Sequence, residues 1–132
     1  MSSDAAEFAS PDITVVVDAL TKASAVAVED VTAVVAKGAL NIKTDAARRV
    51  SGLKHAPAYP RSITYDMYVT FAGPSAEIGP DKNKRQGALG NILEYGTTKN
   101  APIPHMGPAA DAEEPKFVSA LETLAVEALG LE

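Results

Sequence analysis

The chain is 132 residues long with a formal net charge of −5 and no cysteine, which suits one domain with one modest core. An apolar fraction of 46% argues against wholesale disorder. The missing thiols exclude disulfide frameworks, cysteine nucleophiles and cysteine-based zinc sites, and fit a reducing compartment.

Only 5% of residues are aromatic, and much of the apolar fraction is Ala and Val. Such a core buries little area per side chain, so self-association is the expected source of further burial. Charge is segregated. Residues 1–30 and 106–132 each net −5, residues 31–61 net +5, and residues 62–105 balance to zero. Acidic ends around a basic middle can complement each other within a subunit or between neighbours. The acidic total argues against a dedicated nucleic-acid binder.

Residues 1–9 read as a flexible tail, acidic and polar, without the basic and apolar regions of a signal peptide. Residues 10–132 read as a single domain. Ser10-Pro11-Asp12 predicts a helix start, with a hydroxyl cap, proline in the first turn and an acid beside the dipole. Apolar residues then recur at Val16, Leu20, Ala23, Ala27, Val31 and Val34, the spacing of an amphipathic helix. The β-branched run Ile13–Val17 is compatible with a strand, but the helical period continues past it. Gly38 is expected to kink or break the helix before a second stretch, Ala39–Val50. Arg48, Arg49 and Lys54 then fall at its exposed end.

Ser51–Arg61 holds two prolines and a glycine and is expected to be a loop. From Ile63 to Phe71, apolar and polar residues alternate, which predicts a half-buried strand. Gly73-Pro74 is the expected turn, and Ala76–Ile78 a short antiparallel partner strand. Asp81–Arg85 is a polar loop. Gly87–Tyr95 is expected to form a short helix stopped by Gly96, and Thr97–Pro108 an extended, proline-rich arm. A last helix is expected to open at Pro115 and present Phe117, Leu121 and Leu124 on one face. The fold class is therefore α+β: a long N-terminal helix packed on a small antiparallel sheet, with a C-terminal helix. No stretch reaches about 18 uncharged apolar residues, so no membrane span or membrane partner is expected.

Chemistry is sparse. His55 and His105 are the only histidines. Both lie in proline-containing loops without ligand or dyad spacing, so exposed imidazoles are the default. Gly87-Ala88-Leu89-Gly90 lacks the rest of a phosphate-binding fingerprint, and no serine sits in a nucleophile elbow. Glu113 and Glu114 are expected just ahead of the last helix, where acids favour its dipole. No catalytic, cofactor-binding or metal-ligating set is identified, and the chain reads as non-enzymatic. Lys82, Lys84 and Arg85 form a cationic loop tip, a solvated face by default and a candidate contact for DNA or an acidic partner.

Ile92-Leu93-Glu94-Tyr95-Gly96-Thr97, followed by Ala101-Pro102-Ile103-Pro104-His105-Met106-Gly107-Pro108-Ala109, resembles the "vEfGT … aPFlrPA" signature of the small tail-completion family of long-tailed bacteriophages. Ser51-Gly52-Leu53 and Pro60-Arg61-Ser62-Ile63 resemble a degraded form of that family's segment between first helix and first strand. His105 stands where the signature has Phe, and Gly107 where it has a basic residue. Gly90-Asn91 replace a Tyr-Ala pair. The resemblance covers roughly the last three-fifths of the chain.

It implies a virion structural protein at the neck where head and tail join, present in the host cytoplasm during assembly. The implied partners are copies of itself in a hexameric ring, connector or head-closure proteins, tail-terminator or tail-tube proteins, and DNA in the lumen. Tail terminator or head-closure protein is the alternative within that setting, and a DNA-binding accessory protein the alternative outside it. Gly96 is expected in the left-handed conformation, with the Thr97 hydroxyl closing a reversal. The arm beyond, poor in amide donors, is stiff and suited to docking. The interface candidates are Glu94, Tyr95, Gly96, Thr97, Pro102, Ile103, Pro104, His105, Met106 and Pro108.

Overall fold

The computed structural model describes residues 27–130. The tail 1–9, the helix start at Ser10–Asp12 and the run Ile13–Val17 lie outside the described residues. The architecture is α+β. A long helix α1 (Ala27–Arg49) precedes an antiparallel hairpin of β1 (Ile63–Thr70) and β2 (Gly73–Pro80). A short helix α2 (Gly90–Tyr95) and a C-terminal helix α3 (Met106–Leu129) follow.

Helix α1 runs without interruption through Gly38, contrary to the expected break. Gly38 and Ala39 are both buried, and packing there offsets the roughly 1 kcal/mol that glycine costs inside a helix. Glu29 and Asp30 in the first turn and Arg48 and Arg49 in the last complement the helix dipole. Asp45 pairs with both arginines. The Arg48 hydrogen bond is the main cause of its lowered carboxyl pKa, working against burial and helped by Arg49.

The described residues fall into two compact units, each assembled from separate stretches of chain: 27–38, 67–75 and 114–130 in one, 39–66 and 76–113 in the other. In the first unit, Val31 of α1 and Leu121 of α3 are buried among Val34, Val35, Phe117, Val118 and Leu124. In the second, α1 packs on the sheet. Ala46, Val50, Ala56, Tyr59, Ile63 and Ala109 form the core, flanked by Ile42, Ile78, Leu93, Ile103 and Met106.

The strand expected at Ile63–Phe71 is present, but its inward face is covered only at the base. Ile63 is buried, Tyr65 and Met67 are half-buried, and Val69 and Phe71 are exposed. The turn lies at Phe71-Ala72, two residues before the expected Gly73-Pro74, and β2 extends over eight residues. Pro74 is tolerated within β2 because each strand of a two-stranded sheet has an open edge that needs no amide donor. Ser51–Ala58 is a loop as expected, closed by a short 3-10 turn at Tyr59–Ser62.

Helix α3 begins nine residues ahead of the expected start, and Pro115 lies inside it. Pro115 removes one amide donor, but it sits on an exposed stretch where water can serve the carbonyl left over. Glu113 and Glu114 are therefore helix-interior residues. Glu113 is buried and accepts a hydrogen bond from the Asn41 side chain at 3.0 Å, whereas Glu114 is exposed.

Candidate functional site: a carboxylate clasp and a basic cleft

Two features of the second unit concentrate the chemistry. The first is built on Glu94. Its helix, α2, is entered from a 3-10 turn at Gly87–Leu89 and stops at Gly96. Gly96 has φ +75° and ψ −176°, an extended backbone of positive φ that is nearly confined to glycine rather than the expected left-handed helical one. Its N–H donates to the Ile92 carbonyl at 2.8 Å. A Cβ at this position would stand 2.7 Å from the Pro102 nitrogen and 2.8 Å from the Asn100 oxygen. The Thr97 hydroxyl accepts the N–H groups of Lys99 and Asn100 at 3.2 and 3.1 Å, and its amide donates to Asn100 O at 2.9 Å. The returning arm docks where the Ile103 N–H meets the Leu93 carbonyl at 2.7 Å.

That reversal carries the start of α3 onto the Glu94 carboxylate. Oε1 accepts the N–H groups of His105 at 3.0 Å and Met106 at 2.9 Å, and Oε2 that of Gly107 at 3.2 Å. Pro108 has no N–H, and the amide of Ala109 already bonds the His105 carbonyl at 3.1 Å. The amides at the start of the helix are thereby all accounted for, three of them by an acid eleven to thirteen residues upstream. Burial pushes the Glu94 carboxyl up. The amides of Met106, His105 and Gly107 outweigh it and hold the group below its ordinary value.

His105 is fully buried, not the exposed imidazole expected of a loop residue. Its Nδ1 lies 2.9 Å from both the Ile103 carbonyl and Glu94 Oε1. Two acceptors at that nitrogen assign the proton to Nδ1, so Nε2 accepts the Tyr59 hydroxyl at 2.6 Å. The rings meet edge to face at 5.2 Å. Tyr59 is also fully buried, and its hydroxyl is pushed up to about 12 by burial and then by the Glu94 charge. The chain Tyr59–His105–Glu94 has the order of a proton relay. With both rings closed to solvent, its hydrogen bonds serve to satisfy a buried polar network.

The expected interface residues thus divide. Glu94, Gly96, Ile103, His105, Met106 and Pro108 are buried or partly so, whereas Tyr95, Thr97, Pro102 and Pro104 are exposed. Ile92, absent from the sequence-based set, is half-exposed beside Tyr95.

The second feature is the basic loop. The Asp81 side chain caps the Asn83 amide at 2.9 Å, and successive turns leave Lys82, Lys84 and Arg85 exposed. A Cβ on Gly87 would overlap the Asp81 carbonyl, so only glycine closes the loop. Gln86 adopts φ +62°; its Oε1 accepts the Ala58 N–H at 2.7 Å and its Nε2 donates to the His55 carbonyl at 3.3 Å. This brace creates a shallow cleft of about 290 Å³ lined by Pro57, Ala58, Arg61, Arg85 and Gln86. Gln86 carries no sequence signal for this role, because its contacts span 28 and 31 residues, and Arg61 is far from Arg85 in the chain.

Among the described residues, no group of three His, Cys, Asp or Glu side chains stands together as a metal site, and no helix is long and apolar enough to cross a membrane. Compared with models of protein families, with curated proteins and with solved structures, the chain matches none.

Proposed function

We propose that this chain is a non-enzymatic structural subunit of a tailed-phage virion, acting at the neck as a ring that completes the tail at the connector. The observation that carries the reading is the Glu94 clasp, which supplies a physical reason for the residues behind the tail-completion resemblance. The acid of Ile92–Thr97 caps α3 through three amides, and the glycine occupies a conformation closed to other residues. The position at which the signature has Phe holds a buried ring, His105, whose nitrogens are satisfied by Tyr59, Ile103 and Glu94.

The clasp also fixes what the surface offers. Tyr95 is 77% exposed and Ile92 50%, and Pro102 and Pro104 are exposed on the returning arm. An arm already held at both ends loses little entropy on docking, so these residues form a prepared contact for a neighbouring subunit. The connector, head-closure and tail-terminator or tail-tube proteins are its proposed partners.

Negative-stain imaging and mass measurement of the purified chain, alone and with neck proteins, test the reading. A ring or a defined complex is expected. A monomer under both conditions overturns it.

A further inference from the structure

We propose that the cleft between Arg61 and Arg85 receives the exposed acids of helix α3 from a second copy of this chain. The proposal rests on the self-association proposed above and names its contact.

The cleft is a braced structure. Gln86 spends an unfavourable positive φ to tie the 81–87 loop to the 55–58 segment through two side-chain hydrogen bonds. The result is a cleft lined by Arg61 and Arg85 together with Pro57, Ala58 and Gln86. Neither arginine has a carboxylate within 4 Å among the described residues, whereas Arg48 and Arg49 are both engaged by Asp45. Lys82 and Lys84 are exposed on the same loop, and the one acid there, Asp81, is occupied with the Asn83 amide. Two arginines lining one cleft beside apolar residues suit carboxylates presented from a regular scaffold.

Helix α3 presents such carboxylates. Asp111 and Glu114 are exposed about one turn apart near the start of the helix, and Glu122 is exposed further along it, on an arc shared with Val118 and Ala125, which pack against Leu121. Residues 106–132 net −5, so every copy carries both the basic cleft and its acidic complement. A contact between two different surfaces is head-to-tail, and a head-to-tail contact closes into a ring when the rotation permits. The overall charge of −5 disfavours a polyanion such as DNA as the cleft's occupant.

Sedimentation at low and high salt tests the contact with wild type, Arg61→Glu/Arg85→Glu, Glu114→Lys/Glu122→Lys and an equimolar mixture of the two reversed chains. Each double reversal is expected to weaken self-association by about tenfold or more, and the mixture to regain most of it. Thermal melts matching wild type establish folding. Should the arginine reversal not fold, Arg61→Lys/Arg85→Lys, which keeps the charge and loses the fork, reads the same contact by a smaller loss. A wild-type assembly indifferent to these changes overturns the contact alone. A monomeric wild type overturns both the contact and the ring. Arginine reversal that abolishes low-salt binding to duplex DNA while leaving self-association unchanged overturns the proposal in favour of nucleic acid.

Discussion

Replacing Glu94 by Ala removes the acceptor of three backbone amides and one side of the His105 Nδ1 contact. Hydrogen bonds to a charged acceptor are worth about 1.5–3 kcal/mol each when nothing replaces them. Water can replace part of this set, because Gly107 is exposed and Met106 only partly buried. His105 Nδ1 keeps the Ile103 carbonyl. Counting the two inner amides near the low end of that range, the expected loss is about 3 kcal/mol, above the roughly 1 kcal/mol of an ordinary helix cap. For a domain of this size that corresponds to a fall of about 10 °C in melting temperature.

Glu94→Gln separates charge from shape. It retains one acceptor, loses the interaction with the α3 dipole, and should cost about 1–2 kcal/mol. The pH dependence has a definite sign. The folded pKa of Glu94 is depressed, so its contribution is present above the unfolded carboxyl value and disappears as pH falls through the folded one. Urea unfolding of wild type, Glu94→Ala and Glu94→Gln between neutral and acid pH should show curves that converge as pH drops. Variants within about 0.5 kcal/mol of wild type at neutral pH would mean that water, not Glu94, serves the start of α3, and would refute the clasp.

Gly96→Ala combines a positive-φ backbone with contacts near 2.7 Å to Pro102 and Asn100, and should cost about 2–3 kcal/mol in chemical denaturation. Gly87→Ala should be the most damaging alanine substitution among the described glycines, since its Cβ would overlap the Asp81 backbone; loss of soluble expression or of a cooperative melt is the readout. Tyr59 is held neutral, its hydroxyl raised from 10.0 to about 12. Its contribution should therefore be intact below pH 10 and lost as pH rises toward 12, with one of the four tyrosines ionising late in an ultraviolet titration. Tyr59→Phe should remove that late transition and cost about 1–3 kcal/mol at neutral pH, because it leaves His105 Nε2 buried without a donor.

What was legible in the sequence is what local pattern controls. The alternation from Ile63 marks β1, the three-to-four spacing marks α1, and a glycine after Ile92–Tyr95 marks the end of α2. The errors arise where a distant group decides. Pro115 looks like a helix start because nothing nearby reveals that Glu94 already caps the chain at Met106. Gly38 looks like a break because its burial is tertiary. His105 looks exposed because a proline-rich segment usually is, and its partner Tyr59 is 46 residues away. The cleft was half visible: Lys82, Lys84 and Arg85 stand together in sequence, but Arg61 reaches Arg85 only in the fold, where the Asp81 amide bonds the Ser62 carbonyl and Gln86 bonds Ala58.

These long-range contacts bear on how the proline arm should be understood. A stiff arm read from sequence is a surface waiting for a partner. In the folded chain, Glu94 and His105 turn the same segment inward at its root, and only Tyr95, Thr97, Pro102 and Pro104 are left outward. Substitutions in this stretch should therefore separate cleanly. Those at Glu94, Gly96 or His105 lower stability, and assembly falls with it. Those at Tyr95, Pro102 or Pro104 leave the melt within about 0.5 kcal/mol of wild type, so any assembly defect they produce must come from the contact itself. Tyr95→Ala is the sharpest single case, because an exposed aromatic contributes little to the monomer and is a frequent anchor across an interface. An unchanged melt with unchanged assembly at Tyr95 would remove the arm from the proposed contact and leave the basic cleft as the remaining candidate surface.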